Sequence, residues 1–247
     1  MRTLVFDIGN TAVKYGCFED DVLLETAAGL TLDQLLTTVQ RLQPQHVLAA
    51  SVAASTADWI EPLRHLVAGT VVEFAPATTP VPLRNAYATP HTLGADRLAA
   101  AVGAAWLRPS GDTLVVDAGT AIKCDWVERG HTFRGGSIAP GLRMRFAALH
   151  QLTGRLPLVA MPTDPTAAVA LMGDDTQAAI RSGVLNGAVA EVEGLIARYR
   201  ASSPRLAVIL AGGDARFFQP RLKGHIFVIP ELVLLGLHRI LVHNVEN

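Results

Sequence analysis

The sequence predicts two α/β domains of similar build, and the first observation behind this prediction is a motif that occurs twice. Residues 3–14 read TLVFDIGNTAVK, and residues 113–123 read TLVVDAGTAIK. Aligned with one gap, the two segments place Asp7 on Asp117, Gly9 on Gly119, Thr11 on Thr120 and Lys14 on Lys123. Each segment is typical of a strand, a glycine-rich turn and a second strand. Because the copies lie about half the chain length apart, they indicate a duplication.

The second observation is that strands and helices follow in a similar order in the two halves. In the first half we predict strands at 3–7, 12–18, 22–26, 47–52 and 70–74, and helices at 31–42, 56–66 and 96–107. The helix at Thr31 begins with a capping box completed by Gln34. In the second half we predict strands at 113–117, 121–128, 131–138, 207–210 and 226–228, and helices at 142–152, 174–200 and from Pro230 onward. The helix at 174–200 is expected to break near Gly183 or Gly187. This order favours two α/β domains, at 1–112 and 113–247.

The composition excludes several classes of protein. The 247 residues are 50% hydrophobic and carry a formal net charge of −1, without a basic or acidic block, so we expect no nucleic-acid partner. The apolar run Leu98–Leu107 is about half of the roughly 20 residues that a membrane-spanning helix needs, so we expect no membrane partner either. No leader peptide is expected, because the chain starts with a strand-like segment. Cys17 and Cys124 are expected to be buried free thiols of a cytoplasmic protein.

The repeated turn carries groups that could bind a polyphosphate. Glycine permits a positive φ or a close approach of the backbone to a ligand, and successive backbone N–H groups can converge on an anion. Lys14 adds a positive charge, and the carboxylates of Asp7 and Asp117 could hold a cation directly or through water. The alternative is a pair of ordinary hairpin turns, where Asp, Asn and Gly are common. The sequence contains no P-loop, no G-x-G-x-x-G after a strand and no H-E-x-x-H or C-x-x-C metal motif.

This arrangement resembles the acetate kinase–sugar kinase–Hsp70–actin superfamily, whose members use two phosphate hairpins and a glycine-rich adenosine loop. The segment Gly212-Gly213-Asp214, directly after a predicted strand and about 90 residues after the second hairpin, resembles that loop. The resemblance implies two similar ribonuclease-H-like (actin-like ATPase) domains that arose by duplication. It also implies that ATP and substrate bind in the cleft between them.

Further segments resemble the type III pantothenate kinases over essentially the whole chain. They are DIGNT at 7–11, NAYATPHTLGADR at 85–97, DAGTA at 117–121, GGSIAPG at 135–141, TQAAIRSG at 176–183 and PELVLLGL at 230–237. The resemblance implies an ATP-dependent kinase that phosphorylates pantothenate to 4′-phosphopantothenate, the first step of coenzyme A biosynthesis. It also implies a homodimer.

The resemblance assigns roles around the substrate. Asp96 is the implied catalytic residue, which accepts the hydroxyl proton, and Arg97 binds the pantothenate. Gly94 allows a close approach of the backbone to the substrate, and Tyr87 lines the pocket. Thr176 donates a hydrogen bond to the substrate, either within the same chain or from the partner subunit. The implied substrate contacts are Tyr87, Gly94, Ala95, Asp96, Arg97 and Thr176.

The resemblance also indicates which residues bind the nucleotide and its ions. The implied ATP contacts are Asp7, Ile8, Gly9, Asn10, Thr11, Ala12, Val13, Lys14, Thr120, Gly212 and Gly213. Asp7 is directed toward the Mg²⁺ that accompanies ATP, with water between them in one arrangement. Asp117 corresponds to the ligand of a monovalent cation, either K⁺ or ammonium. Lys123 has no implied role and is expected to point to solvent.

Further expectations concern the subunit contact and the alternative functions. The apolar face of the helix at 174–200, with Ala178, Ile180, Val184 and Leu185, is interpreted as a subunit contact. One alternative is another small-molecule kinase or a phosphatase of the superfamily, which the Gly94–Arg97 segment argues against. Another is a non-catalytic regulatory relative, which is disfavoured because every implied catalytic position holds a competent residue.

Overall fold

The chain divides into two compact units that do not follow the predicted division at residue 112. The computed structural model describes residues 1–9, 12–51 and 57–246, with the backbone only at 57 and 58. The first unit comprises Met1–Ser110, Val127–Gly135 and Glu231–Asn247. The second comprises Gly111–Trp126 and Gly136–Pro230. The first boundary lies close to residue 112, but the segment 127–135 and the end of the chain pack with the first unit.

The strands form two sheets. Their bounds are β1 Arg2–Ile8, β2 Val13–Glu19, β3 Val22–Ala28, β4 His46–Ser51, β5 Val71–Phe74, β6 Arg84–Asn85, β7 Thr113–Ala118, β8 Ala121–Glu128, β9 Thr132–Pro140, β10 Ala207–Ala211 and β11 Phe227–Val228. In the first sheet the order is β3-β2-β1-β4-β5, with β2 antiparallel to β1 and β3, and β4 parallel to β1 and β5. The other sheet has six strands in the order β6-β9-β8-β7-β10-β11, with β6 parallel to β9 and β10 parallel to β7 and β11. Apart from the added edge strand β6, the two orders correspond strand for strand, as a duplication requires.

Seven α-helices are described beside the sheets. Their bounds are α1 Leu32–Leu42, α2 Ala57–Leu66, α3 Ala95–Leu107, α4 Leu142–Gln151, α5 Thr176–Ser202, α6 Ala215–Phe218 and α7 Leu232–Glu246. The capping box at α1 is confirmed: Gln34 N donates to Thr31 Oγ1 at 3.3 Å, and Thr31 N donates to Gln34 Oε1 at 2.9 Å. Among the described residues, none of the helices combines the length and apolarity needed to cross a bilayer.

The predicted break in the long helix is wrong. Helix α5 runs without interruption from Thr176 to Ser202. Gly183 and Gly187 are exposed, and a Cβ built on either would meet nothing within 4 Å. Glycine lowers helix stability by about 1 kcal/mol relative to alanine, which the burial of the opposite face offsets. Sequence reasoning also missed two short elements, β6 and α6.

Each unit has its own apolar core. The core of the first unit contains Leu4, Phe6, Leu35 and Val47, and it joins the sheet to α1 and α2. In the second unit a separate cluster joins β7 and β10 to α4 and α5. Cys17 and Cys124 are both buried and free, as predicted. Burial raises the pKa of the Cys124 thiol to about 12, so this side chain is an inert part of the core.

Helices α3 and α7 pack unusually closely within the first unit. A Cβ on Gly236 would lie 1.8 Å from the carbonyl oxygen of Ala99, and one on Gly103 would lie 2.6 Å from the carbonyl oxygen of Leu232. Both contacts are with backbone, which cannot rotate away. The two glycines therefore set the distance between the helices. Because α3 is buried along nearly its whole length, its position in the unit is tightly constrained.

We expect Gly236→Ala to destabilise the protein by about 2 kcal/mol or more, because the added methyl group forces α7 away from α3. The matched control is Gly194→Ala in α5, where a Cβ would meet nothing within 4 Å. That change should stabilise the helix by about 0.5–1 kcal/mol. Urea unfolding followed by circular dichroism measures both. Equal stability of the Gly236→Ala protein and the wild type would contradict the packing argument.

His238 is a fully buried polar residue on α7. Its ring stacks on Phe18 at a centroid distance of 4.1 Å, Nδ1 lies 2.9 Å from Thr3 Oγ1, and Nε2 lies 3.4 Å from Asp21 Oδ1. Burial lowers the pKa of His238 below its ordinary value, although the nearby Asp21 acts in the opposite direction. Folding therefore favours the neutral form of this imidazole.

This burial predicts a loss of stability in mild acid. Below a pH of about 6.5 the unfolded chain binds a proton at His238 more readily than the folded protein does, so the free energy of unfolding decreases as the pH falls. The stability is present above that pH, with a slope of up to about 1.4 kcal/mol per pH unit. Denaturation between pH about 7.5 and 5.5 should show a steeper loss for wild type than for His238→Gln. The exposed His91, changed to Gln, serves as the control and should keep the wild-type slope. Identical slopes for wild type and His238→Gln would contradict this prediction.

Candidate active site

The first predicted phosphate hairpin joins β1 to β2. Asp7, near the end of β1, is half-buried and pairs in register with Lys14 on β2. Gly9 N donates to the carbonyl oxygen of Ala12 at 3.2 Å. The predicted contacts Asn10 and Thr11 lie outside the described residues. The described part of the hairpin therefore places a carboxylate and a lysine side by side, near the C-terminal end of the central strand β1.

The second hairpin joins β7 to β8 and is one residue shorter. Gly119 N donates to the carbonyl oxygen of Ala121 at 3.0 Å, where the first turn spans one residue more. This difference is the single gap in the sequence alignment of the two motifs. Asp117 is only 9% exposed, and Thr120 is exposed on the turn.

The glycine-rich loop after β10 lies against this second hairpin. Gly212 has φ +89°, and a Cβ there would lie 2.3 Å from the carbonyl oxygen of Ala118 and 2.5 Å from Asp117 Oδ1. Asp214 N donates to the carbonyl oxygen of Ala118 at 2.9 Å. Burial raises the pKa of Asp214, and the nearby Arg143 acts in the opposite direction. The structure thus brings Asp117 and Gly212 together, and leaves Gly213 exposed beside them.

Lys123 does not point to solvent, so that expectation was wrong. Its Nζ lies 2.6 Å from Asp117 Oδ2, and the two side chains are 14% and 13% exposed. The contact is a short, charge-assisted hydrogen bond inside the second unit. Sequence reasoning aligned both residues with Asp7 and Lys14 but did not connect them with each other.

The third predicted group lies at the start of α3. Gly94 is the N-cap residue, and Asp96 lies in the first turn, where the partial positive charge of a helix N-terminus favours a carboxylate. Asp96 Oδ1 accepts a hydrogen bond from Arg97 N at 2.9 Å. A Cβ on Gly94 would lie 2.6 Å from the same oxygen. Gly94 therefore leaves room for the carboxylate of Asp96, a role that the sequence did not indicate.

Arg97 forms a cluster with Tyr87 and Phe133, called here the Arg97 cluster. The arginine is 5% exposed, and its Cζ lies 5.3 Å from the ring centre of Tyr87 and 5.9 Å from that of Phe133. Its Nη1 is 3.4 Å from Tyr87 Oη. A guanidinium at the low-dielectric side of a site binds an anion more strongly than one in water. The cluster is suited to a small carboxylate.

Backbone pairing positions the Arg97 cluster. The short strand β6 pairs in parallel with β9, Asn85 opposite Phe133, and Asn85 Oδ1 accepts from Tyr87 N at 3.0 Å. Gly135 has φ +85°, and a Cβ there would lie 2.9 Å from the Tyr87 ring. Sequence reasoning missed Phe133 altogether. It included Gly135 only as part of a family motif, although a glycine next to a second glycine in a strand is a signal of close packing.

The remaining predicted residues lie on or next to α5. Thr176 is exposed at the first position of this helix, after the N-cap residue Asp175, whose side chain accepts from Ala178 N at 2.8 Å. Ile180, Val184 and Leu185 are buried in the core of the second unit. The interpretation of this face as a subunit contact was therefore wrong, because it is already covered within one chain.

Two sheets of the same strand order, each with an Asp-Gly turn after its central strand, define the chain as an actin-like ATPase fold. Solved structures show the same fold. A putative Baf family transcriptional activator from Campylobacter jejuni matches with a TM-score of 0.65 at 21% identity, over 99% of this chain and 100% of that one. An activator of 2-hydroxyisocaproyl-CoA dehydratase from Clostridium difficile, with bound ADPNP, matches with a TM-score of 0.58 at 13% identity, over 100% and 96%.

Sequence comparisons narrow the class to one family. The family model of the type III pantothenate kinases matches residues 3–198, which is more than half of the chain. A type III pantothenate kinase from Cytophaga hutchinsonii is 43% identical over 242 residues, covering 98% of this chain and 99% of the relative. One from Phocaeicola vulgatus is 39% identical over 244 residues, covering 98% of each. The chain belongs to the type III pantothenate kinase family.

Proposed function

We propose that this chain transfers the γ-phosphoryl group of ATP to the primary hydroxyl group of pantothenate, forming 4′-phosphopantothenate and ADP. This is the first step of coenzyme A biosynthesis. The observation that carries the proposal is the pair Asp96 and Arg97 at the start of α3, in a chain that belongs to this family. One residue supplies a carboxylate, and the next supplies a buried guanidinium.

Asp96 acts on the acceptor alcohol. Its carboxylate accepts the hydrogen bond of the hydroxyl group and takes its proton as the phosphoryl group arrives, as a base does in phosphoryl transfer. Gly94 leaves space for this carboxylate, and Arg97 N orients it. Because α3 is buried and packed against α7, the carboxylate sits on a rigid element.

Arg97 binds the substrate anion. Pantothenate carries a carboxylate, and a planar guanidinium matches a carboxylate with two parallel hydrogen bonds. The rings of Tyr87 and Phe133 flank the guanidinium and limit the rotamers that it can adopt. Gly94, Ala95 and Thr176 complete the proposed substrate contacts.

The proposed ATP contacts are the first hairpin, residues 7–14, together with Thr120, Gly212 and Gly213. Like other ATP-dependent kinases, the family works with a divalent metal ion that accompanies ATP. Among the described residues no group of three or more His, Cys, Asp or Glu side chains could hold a metal ion. A Mg²⁺ held by ATP phosphates and water, with one carboxylate such as Asp7 nearby, fits this arrangement. When bound, the ion neutralises charge on the phosphates.

Other parts of the proposal concern assembly, ions and location. The homodimer stays a prediction: the face first assigned to it is buried, whereas Leu171 and Met172, at the approach to α5, are exposed. The K⁺ or ammonium ion expected at Asp117 also stays a prediction, and the contact with Lys123 argues against it. A cytoplasmic location is expected from the use of ATP.

The basic experiment measures ADP production from ATP in the presence of pantothenate and of a panel of other small alcohols. Activity with pantothenate alone supports the proposal. Activity only with another alcohol, or hydrolysis of phosphate esters, would favour a different enzyme of the same superfamily. Binding of ATP without turnover of any alcohol would favour a non-catalytic relative.

We expect Asp96→Asn to lower kcat by about 10²–10⁴-fold, because the amide cannot take the hydroxyl proton. The fold should remain, since the amide oxygen still accepts from the backbone. The matched control is Asp33→Asn, which changes the same position in the first turn of α1 and should leave kcat unaltered. Steady-state ADP production with circular dichroism measures both. Near-normal turnover by the Asp96→Asn enzyme removes this residue from its assigned role.

Arg97→Ala should act mainly on substrate binding. Loss of a charge-assisted pair with the pantothenate carboxylate should raise the KM for pantothenate by about tenfold or more, with a smaller change in the KM for ATP. Arg97→Lys keeps the charge but not the planar fork, so its KM for pantothenate should lie between those of the wild type and of Arg97→Ala. An unchanged KM for pantothenate in the Arg97→Ala enzyme would contradict this assignment.

A further inference from the structure

The carboxylate of Asp117 is the place where the family resemblance implies a monovalent cation. The side chain lies at the end of β7 and is shielded from solvent. Its Oδ1 faces the backbone of Gly212, where an added Cβ would come within 2.5 Å. A carboxylate enclosed in this way needs a positive partner, because burial of an unpaired charge is unfavourable.

The chain supplies this positive partner itself. Lys123 Nζ lies 2.6 Å from Asp117 Oδ2, whereas the other carboxylate oxygen, Oδ1, is the one close to Gly212. A lysine ammonium carries one positive charge and three N–H donors, and is in effect an ammonium ion fixed to the protein. Its single positive charge is the same as that of K⁺ or of ammonium, the two ions that the resemblance implies.

A free monovalent cation does not fit beside this ammonium. It would have to share the single carboxylate of Asp117 with a like charge at hydrogen-bonding distance, and like charges in a partly buried site repel strongly. In the part of the chain that the structure describes, no group of three or more His, Cys, Asp or Glu side chains could hold a metal ion.

We propose that the ammonium group of Lys123 replaces the monovalent cation at Asp117, so that this enzyme does not require K⁺ or ammonium. The inference rests on the proposed function for its activity readout. Lys123 acts here as a positioning residue: it neutralises Asp117 and keeps the carboxylate between β8 and the Gly212 loop. The second hairpin and this loop then hold their arrangement without a bound ion.

The first test compares salts. Pantothenate-dependent ADP production is measured in choline chloride, NaCl, KCl and NH₄Cl at one ionic strength, with ADP quantified by chromatography because coupling enzymes have ion requirements of their own. We expect the wild-type rate to differ by less than about twofold among the salts. A rise of about tenfold in KCl or NH₄Cl over choline chloride would overturn the proposal.

The second test removes the fixed charge. Lys123→Met keeps the length of the side chain, and we expect it to lower the rate in choline chloride by about tenfold or more and to restore much of it in KCl or NH₄Cl. The matched control is Lys223→Met, at an exposed lysine, which should behave as wild type. A folded Lys123→Met enzyme that keeps the wild-type rate in choline chloride, or is slow in all four salts, contradicts the replacement.

A third measurement does not depend on turnover. The melting temperature in the presence of MgATP, without pantothenate, should rise on exchange of choline for K⁺ in the Lys123→Met protein but not in the wild type. An equal rise in both proteins would overturn the proposal. If the wild type makes no ADP with pantothenate under any condition, the proposed function fails, while this melting experiment still decides the role of Lys123.

Discussion

One backbone hydrogen bond closes each Asp-Gly turn, and the proposed nucleotide chemistry depends on it. In both units it joins a glycine N–H to the carbonyl oxygen of an alanine at or just before the start of the next strand, from Gly9 to Ala12 and from Gly119 to Ala121. The turn keeps Asp7 and Asp117 near the ends of the central strands. The duplication therefore preserved a geometric constraint, although the second turn is one residue shorter than the first.

The substrate side depends on a different constraint, namely the space that glycine leaves for its neighbours. At Gly94 that space holds the carboxylate of Asp96, and at Gly135 it holds the ring of Tyr87. At Gly103 and Gly236 it allows α3 and α7 to approach each other closely. Because interiors are close-packed, an added methyl group at any of these positions would move a neighbour. The packing of α3 against α7 thus helps to determine the position of Asp96.

Much of the fold could be predicted from the sequence, because alternation and helical spacing report on local burial. The strands of both halves, the cap at Thr31 and the buried cysteines follow from such local signals. The prediction was wrong where a tertiary contact decides the outcome. Helix α5 continues through its glycines because its other face is buried, and that buried face was mistaken for a subunit contact. The pairing of β6 with β9, which positions Tyr87, involves only two residues of each strand and leaves no pattern in the sequence.

Lys123 shows the same limit in the candidate site, since a lysine in a strand is most often exposed. Its environment depends on a partner six residues earlier, across the turn.

A fixed ammonium group differs from a bound ion in one physical respect. Its ordering costs free energy once, during folding, and does not depend on the salt concentration. A free ion must lose its hydration and its translational freedom each time it binds, whereas a tethered group is already in place. The cost is conformational entropy of the side chain, of up to about 2 kcal/mol, together with dependence on one residue. Removal of either charge leaves the other partly buried without its partner in this pair, which is more unfavourable than the pair itself. Asp117 and Lys123 therefore function as one unit, and a description of the carboxylate as a cation site has to include the cation that the chain already provides.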